Sequence, residues 1–312
     1  MNRVQILNIG LILILGLGAC TPNTNPAGAS AKFVTPTDFH PTASPLPSST
    51  APPLPSSTAP SLPSSTPPPL PSSTPLACWQ AGGHIEHKQS QTTWLPDPLK
   101  YSVYTPPCYD QQPDRRYPVI YLLHGQTYNE DQWDRLGVDE IANALIGSGE
   151  IAPFIIVMPN DSDNYISPPK NLFGEALIHD LLPRIDTDYR TLPDREQRAI
   201  GGLSRGGNWA IHLGLSYWEF FGAVGAHSAP IFVHDDPPLI REWLAVIPFD
   251  KLPRIYMDAG ANDRWLDSLL QFEAMLNAEN IPHEWYLFPG YHDEEYWESH
   301  VEQYLRWYVA EW

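Results

Sequence analysis

The chain has 312 residues and carries 18 Lys+Arg against 36 Asp+Glu, a formal net charge of −18. That balance excludes a nucleic-acid partner, because binding a polyphosphate needs a basic face. Of the 35 prolines, 16 fall before residue 78. Only residues 78–312 therefore have the composition of a folded domain, long enough to bury one large core.

In chain order, the first element reads as an export signal. Arg3 gives a short positive start, Val4 to Ala19 is almost wholly apolar, and the run ends in "LGAC" at Leu17 to Cys20. It is shorter than the roughly 20 residues a spanning helix needs and matches the apolar segment of a signal peptide. The small residues before Cys20 resemble the lipobox of bacterial lipoproteins. That resemblance implies residues 1–20 as signal, lipidation at Cys20, and a domain held on the bacterial membrane outside the cytoplasm. An ordinary secretory signal or an uncleaved anchor are the alternatives. Residues 21–77 are rich in Pro, Ser and Thr, with "PLPSSTAP" at 45 and 53, "SLPSSTPP" at 61 and "PLPSSTPL" at 69. So polar a period builds no core; it predicts a disordered, extended linker, a stalk or plain filler. Cys78 and Cys108 form an even pair in an oxidising setting, which predicts a disulfide, two free buried thiols being the alternative.

From residue 78 onward, strand-like and helical runs alternate, the signature of an α/β domain with a mostly parallel sheet and helices on both faces. Strands are predicted at 100–106, 117–125, 152–160, 198–204, 221–228, 254–260 and 283–290. Helices are predicted at 136–147, 172–185, 206–216, 265–279 and 295–310. In the last, Trp297, Val301, Tyr304 and Tyr308 share one face and read as core.

One stretch asks for chemistry. In "RAIGGLSRGG" a buried strand meets a helix with Gly202, Ser204 and Gly206 at G-x-S-x-G spacing. Small neighbours let strand and helix pass closely around a strained corner, which presents the serine hydroxyl above the sheet. A glycine-rich turn with an idle serine is the plainer alternative. Of the eleven histidines, His292 lies in the loop between the last predicted strand and helix, where a base for Ser204 is expected. His227 and His283 border strands, and His300 lies inside the final predicted helix. In "MDAGANDRW", Asp263 is on the connecting loop, where it can orient the imidazole; Asp258, within the strand, is the second candidate. The backbone N–H groups of Arg205 and Gln126 are the candidate oxyanion donors, with His124 bracing the second loop or acting in catalysis. Neither zinc-type cysteine spacing nor H-E-x-x-H occurs, so no metal or cofactor is expected.

"YPVIYLLHG", "RAIGGLSRGG", "GAND" and "YHDEEYW", in that order, resemble the putative-esterase family of the α/β-hydrolases. That family includes feruloyl and acetyl-xylan esterases, esterase D, enterochelin esterases and mycolyltransferases. The resemblance spans about 95–312 and implies the α/β-hydrolase fold, with Ser204 as nucleophile, Asp263 as acid, His292 as base, and Gln126 and Arg205 as oxyanion donors. It implies a serine esterase for small-molecule or carbohydrate esters, whose activity falls below about pH 6–7 because the base must be neutral. A surface acyltransferase, a siderophore-ester hydrolase and a binding module are the rival readings. Two departures stand out: Tyr291 replaces a frequent glycine, narrowing one pocket wall, and Arg205 replaces a frequent methionine or glutamine. Tyr128, Trp133, Trp209, Trp265, Tyr291 and Trp297 crowd the proposed loops and suit sugar rings or aromatic acyl groups, or serve as core.

Overall fold

The computed structural model describes residues 78–312. The signal and linker expectations for 1–20 and 21–77, with the lipidation of Cys20, lie outside the described residues. Cys78 and Cys108 are joined by a disulfide.

Among the described residues, eight strands form one sheet. They are β1 (His84–Ser90), β2 (Leu99–Thr105), β3 (Val119–Leu123), β4 (Ile155–Pro159), β5 (Arg198–Leu203), β6 (Ala223–His227), β7 (Arg254–Gly260) and β8 (Glu284–Phe288). Their order is β1-β2-β4-β3-β5-β6-β7-β8. β2 runs antiparallel to both its neighbours, and β3 to β8 are parallel. The mostly parallel sheet follows from the sequence: "VIYLL" in β3 and "IIVMP" in β4 are buried throughout, as strands covered on both faces require.

Helices cover both faces. They are α1 (Gln132–Arg135), α2 (Val138–Gly147), α3 (Phe173–Ala176), α4 (Leu182–Asp188), α5 (Arg205–Ser216), α6 (Pro237–Val246), α7 (Leu266–Ala278), α8 (Glu294–Glu298) and α9 (Val301–Tyr308). Along β3 the side chains alternate between two cores. Val119, Tyr121 and Leu123 pack with α3, α4 and α5, while Ile120 and Leu122 pack with α2, α8 and α9. A third cluster joins α5, α6 and α7 to β6 and β7. Trp297, Val301, Tyr304 and Tyr308 are buried together, as their spacing predicts.

The departures from expectation have local causes. β1 has the exposed, polar pattern of an edge strand and lacks an apolar run to announce it. The predicted 172–185 helix is split: a π turn at Leu177–Leu181 precedes α4. Pro183 has no N–H for the carbonyl four residues back and crowds it, which widens the turn before it. α6 begins at two prolines capped by the Asp236 side chain, which accepts from Leu239 N–H. That start is legible as a helix only if Asp-Pro-Pro is read as cap and first turn rather than as loop. The predicted 295–310 helix breaks at Ser299–His300. There Ser299 Oγ and His300 Nδ1 both bond to the Tyr296 carbonyl, taking it from the helix ladder.

Candidate active site

β5 ends at Leu203 and α5 begins at Arg205, so Ser204 alone makes the turn. Its backbone takes φ 52° and ψ −120°, a conformation that L residues rarely adopt. The fit around it leaves no room. A methyl group on Gly202 would lie 2.4 Å from the Gly206 carbonyl carbon, and one on Gly206 would lie 2.0 Å from the Leu123 oxygen. Glycine at both positions is therefore the condition for strand β3, strand β5 and helix α5 to meet here.

Above the corner the structure brings three predicted residues together. His292 Nε2 lies 2.9 Å from Ser204 Oγ. His292 Nδ1 lies 2.9 Å and 3.0 Å from the two Asp263 oxygens. The carboxylate accepts only, so it fixes the Nδ1–H tautomer and leaves Nε2 to accept from the serine hydroxyl. Trp297 packs edge-on against the imidazole at 5.1 Å. Burial works against the charge of Asp263. The hydrogen bonds from His292 and from Trp265 N–H outweigh it, and hold this carboxyl below the usual carboxylate range. Asp258, the second candidate, is elsewhere: fully buried in β7, it accepts from His227 Nδ1 at 2.7 Å and from the hydroxyls of Tyr296 and Tyr304. His300 faces Tyr296, away from the serine hydroxyl's partners.

The two proposed donor loops are held rigidly. Among the described residues, neither Gln126 N–H nor Arg205 N–H donates to an acceptor within the protein. Gly125 N–H donates to Gln132 Oε1 at 2.8 Å, and Trp133 Nε1–H donates to Leu123 O at 3.0 Å. His124 is a brace. Nδ1–H donates to Gly125 O at 2.8 Å, and Nε2 accepts from Asp161 N–H at 2.9 Å. Burial holds its pKa below the ordinary histidine value, in keeping with a neutral ring. The Arg205 guanidinium is tied to buried Asp161, Nε to Oδ2 at 2.8 Å. Gln132, Asp161 and Asn171 carry no motif, and sequence reasoning passed over them. The one available signal was that Asp161 follows β4 at the carboxyl edge of the sheet, where α/β sites gather.

Ser204 and His292 open into a cleft of about 600 Å³. Tyr128, Tyr165, Val233 and Trp265 line it and keep substantial exposure at its mouth, Tyr165 at 76%. The expected aromatic crowd divides: Trp133 and Trp209 are core, and Tyr291 is 62% exposed and outside the cleft lining. Tyr291 therefore narrows no pocket wall. Asn208, one turn after Ser204, is buried in the lining, and its side-chain oxygen has no partner within the protein among the described residues.

The sheet order, the helices on both faces and the serine corner define an α/β-hydrolase fold. Residues 92–308 match the family model described as "Putative esterase", and the chain belongs to that family. It is 27% identical over 230 residues to esterase Rv1288 of Mycobacterium tuberculosis strain H37Rv, covering 57% of this chain and 49% of that protein. It is 36% identical over 136 residues to an endo-1,4-beta-xylanase/feruloyl esterase of Xylanibacter ruminicola, covering 40% of this chain and 19% of that one. The chain thus spans half or less of the length of these curated relatives. A solved ferulic acid esterase superposes with a TM-score of 0.65 at 28% identity, covering 73% of this chain and 98% of that chain.

Proposed function

We propose that the domain is a serine carboxylic-ester hydrolase working through an acyl-enzyme on Ser204. The observation that carries this is the continuous Ser204–His292–Asp263 hydrogen-bond chain above a strained corner. His292 takes the serine proton as Oγ attacks the ester carbonyl carbon. The tetrahedral oxyanion accepts from Arg205 N–H and Gln126 N–H, both otherwise free to donate. His292 then protonates the leaving alcohol. A water, deprotonated by the same imidazole, releases the acid and restores Ser204.

The substrate class we propose is an acyl or feruloyl ester of a carbohydrate. The aromatic mouth of the cleft suits aryl and sugar rings. Similarity to a ferulic acid esterase and to a xylanase/feruloyl esterase supports the same reading. We also propose that the domain works outside the cytoplasm, lipid-anchored through Cys20; the Cys78–Cys108 disulfide supports an oxidising compartment. Radiolabelled palmitate incorporation that vanishes in Cys20→Ala tests the anchor.

The deciding experiment is hydrolysis of a short-chain nitrophenyl ester, then of feruloyl and acetyl sugar esters, by wild type and Ser204→Ala. Wild type is expected to turn over and Ser204→Ala to be inert. Equal rates in the two proteins would overturn the assignment.

A further inference from the structure

The structure assigns Asp161 as the positioning residue that holds the two oxyanion donors at a fixed separation, an inference that rests on the esterase reading above. Asp161 is 3% exposed and follows β4 at the carboxyl edge of the sheet. Its backbone N–H donates to His124 Nε2 at 2.9 Å. Its Oδ2 accepts from Arg205 Nε at 2.8 Å and from Trp209 Nε1 at 2.9 Å. Its Oδ1 accepts from Asn171 Nδ2 at 2.8 Å.

These partners come from three segments far apart in the chain, and two of the segments carry the donors. His124 stands two residues before Gln126 and passes the connection on through Nδ1–H to Gly125 O. Arg205 is itself the other donor residue, and Trp209 lies one turn further along α5. A single buried residue therefore bridges the Gln126 loop to the start of α5 by hydrogen bonds. Stability alone is a poor reason for such a bridge. A buried ion pair is seldom worth more than apolar residues packed in its place. What it gives is direction: the planar carboxylate fixes Arg205 and Trp209 at the start of α5, while the backbone N–H of the same residue holds His124 beside the Gln126 loop. The guanidinium also neutralises the carboxylate, so the bridge adds no net charge beside the developing oxyanion.

The third arm reaches the cleft wall. The two Asn171 Nδ2 hydrogens are shared among Asp161 Oδ1 and the carbonyls of Asp163 and Ile166, and Asn171 Oδ1 accepts from Phe173 N–H. Arg205 Nη2 donates to the same Ile166 carbonyl. Tyr165 and Ser167, which line the cleft, flank that carbonyl. Asn171 is so fully committed that it cannot turn its amide over to suit an asparagine at 161.

The test compares wild type, Asp161→Asn and Arg205→Lys on a nitrophenyl ester, counting competent sites by exhaustive fluorophosphonate labelling. It also measures Kd for a phenylboronic acid, whose boron takes the serine oxygen and becomes a tetrahedral anion. For Asp161→Asn, kcat per labelled site is expected to fall roughly 10- to 100-fold with KM within about threefold, as expected for donors displaced by a fraction of an ångström. Boronate affinity should weaken by a similar factor. Arg205→Lys keeps the backbone donor and the charge but loses the planar fork, and should fall between the two. Loss confined to the number of labelled sites, with kcat per site unchanged, would mean a merely structural role and overturn the assignment. If Asp161→Asn does not fold, Arg205→Lys at wild-type kcat and boronate Kd overturns it equally. An inert wild type sinks the esterase reading and this inference together, whereas an active wild type with unaffected variants sinks this inference alone.

Discussion

Gly206→Ala tests whether the corner geometry is as tight as the catalytic reading requires. The added methyl would lie 2.0 Å from the Leu123 oxygen and 2.4 Å from its carbonyl carbon, both backbone atoms at the end of β3. Opening that contact to an acceptable separation of about 3 Å moves β3 and α5 apart by about 1 Å, a displacement that can cost on the order of 100-fold in rate. The movement falls on the proposed oxyanion hole, since Gln126 follows β3 and Arg205 begins α5. Overpacking of this kind destabilises by about 1–3 kcal/mol. In a domain of this size that corresponds to a Tm lower by roughly 3–10 °C. Ester hydrolysis per labelled serine and a thermal melt by circular dichroism read the two effects separately. Gly147→Ala is the matched control: at the end of α2, a methyl there meets nothing within 4 Å. It should leave kcat unchanged and gain about 0.5–1 kcal/mol. A Gly206→Ala protein with wild-type Tm and kcat within twofold would refute the close-approach argument.

Four further outcomes are expected. Cys108→Ser opens the disulfide loop, whose ends are 30 residues apart, and should cost roughly 3–4 kcal/mol in urea titration; unchanged stability would remove the disulfide from the account. Tyr308→Phe strips the hydroxyl that meets His227 Nε2 at 3.0 Å and should lose about 1–2 kcal/mol of stability with kcat unaffected. His124 has a folded pKa lowered by burial, so below the ordinary histidine value of about 6.5 the unfolded chain binds a proton that the folded chain refuses. Stability should therefore decline as pH drops through that value, and His124→Gln should flatten the decline; an unaltered Tm-against-pH slope contradicts this. Asp263 runs to lower pH: its folded pKa is depressed, so its contribution is full above the unfolded carboxylate value and lost as pH falls through the folded one. Asp263→Asn should shrink the acid-side loss of Tm below about pH 4, and an unchanged loss would contradict it.

The parts of the fold written in runs were legible in the sequence. Continuous apolar stretches such as "IIVMP" could only be strands covered on both faces, and the spacing of Trp297, Val301, Tyr304 and Tyr308 announced a buried helical face. The serine corner was legible because its glycines answer the steric demand of a strand turning at once into a closely packed helix. What stayed hidden depends on partners remote in sequence. β1 is a strand because β2 offers it an edge, and its own composition does not require it. Asp161 looks like any loop aspartate until His124, Asn171 and Arg205 converge on it. Arg205, which stood out as a departure beside Ser204, is accounted for by that convergence.

The Cys78–Cys108 bond also decides how the domain meets mechanical force. Any tension arriving from residues before 78 enters at Cys78 and passes directly to Cys108, three residues beyond β2. β1 and β2 both lie inside the covalently closed loop and are skipped. Peeling an edge strand one hydrogen bond at a time is the easy mechanical failure of a sheet, and here it is short-circuited. The pull is delivered instead to the chain beyond Cys108, which leads into β3, a strand paired along both sides. Breaking it out means shearing two ladders at once, so a reducing agent should convert a mechanically stiff domain into one that unzips from its edge.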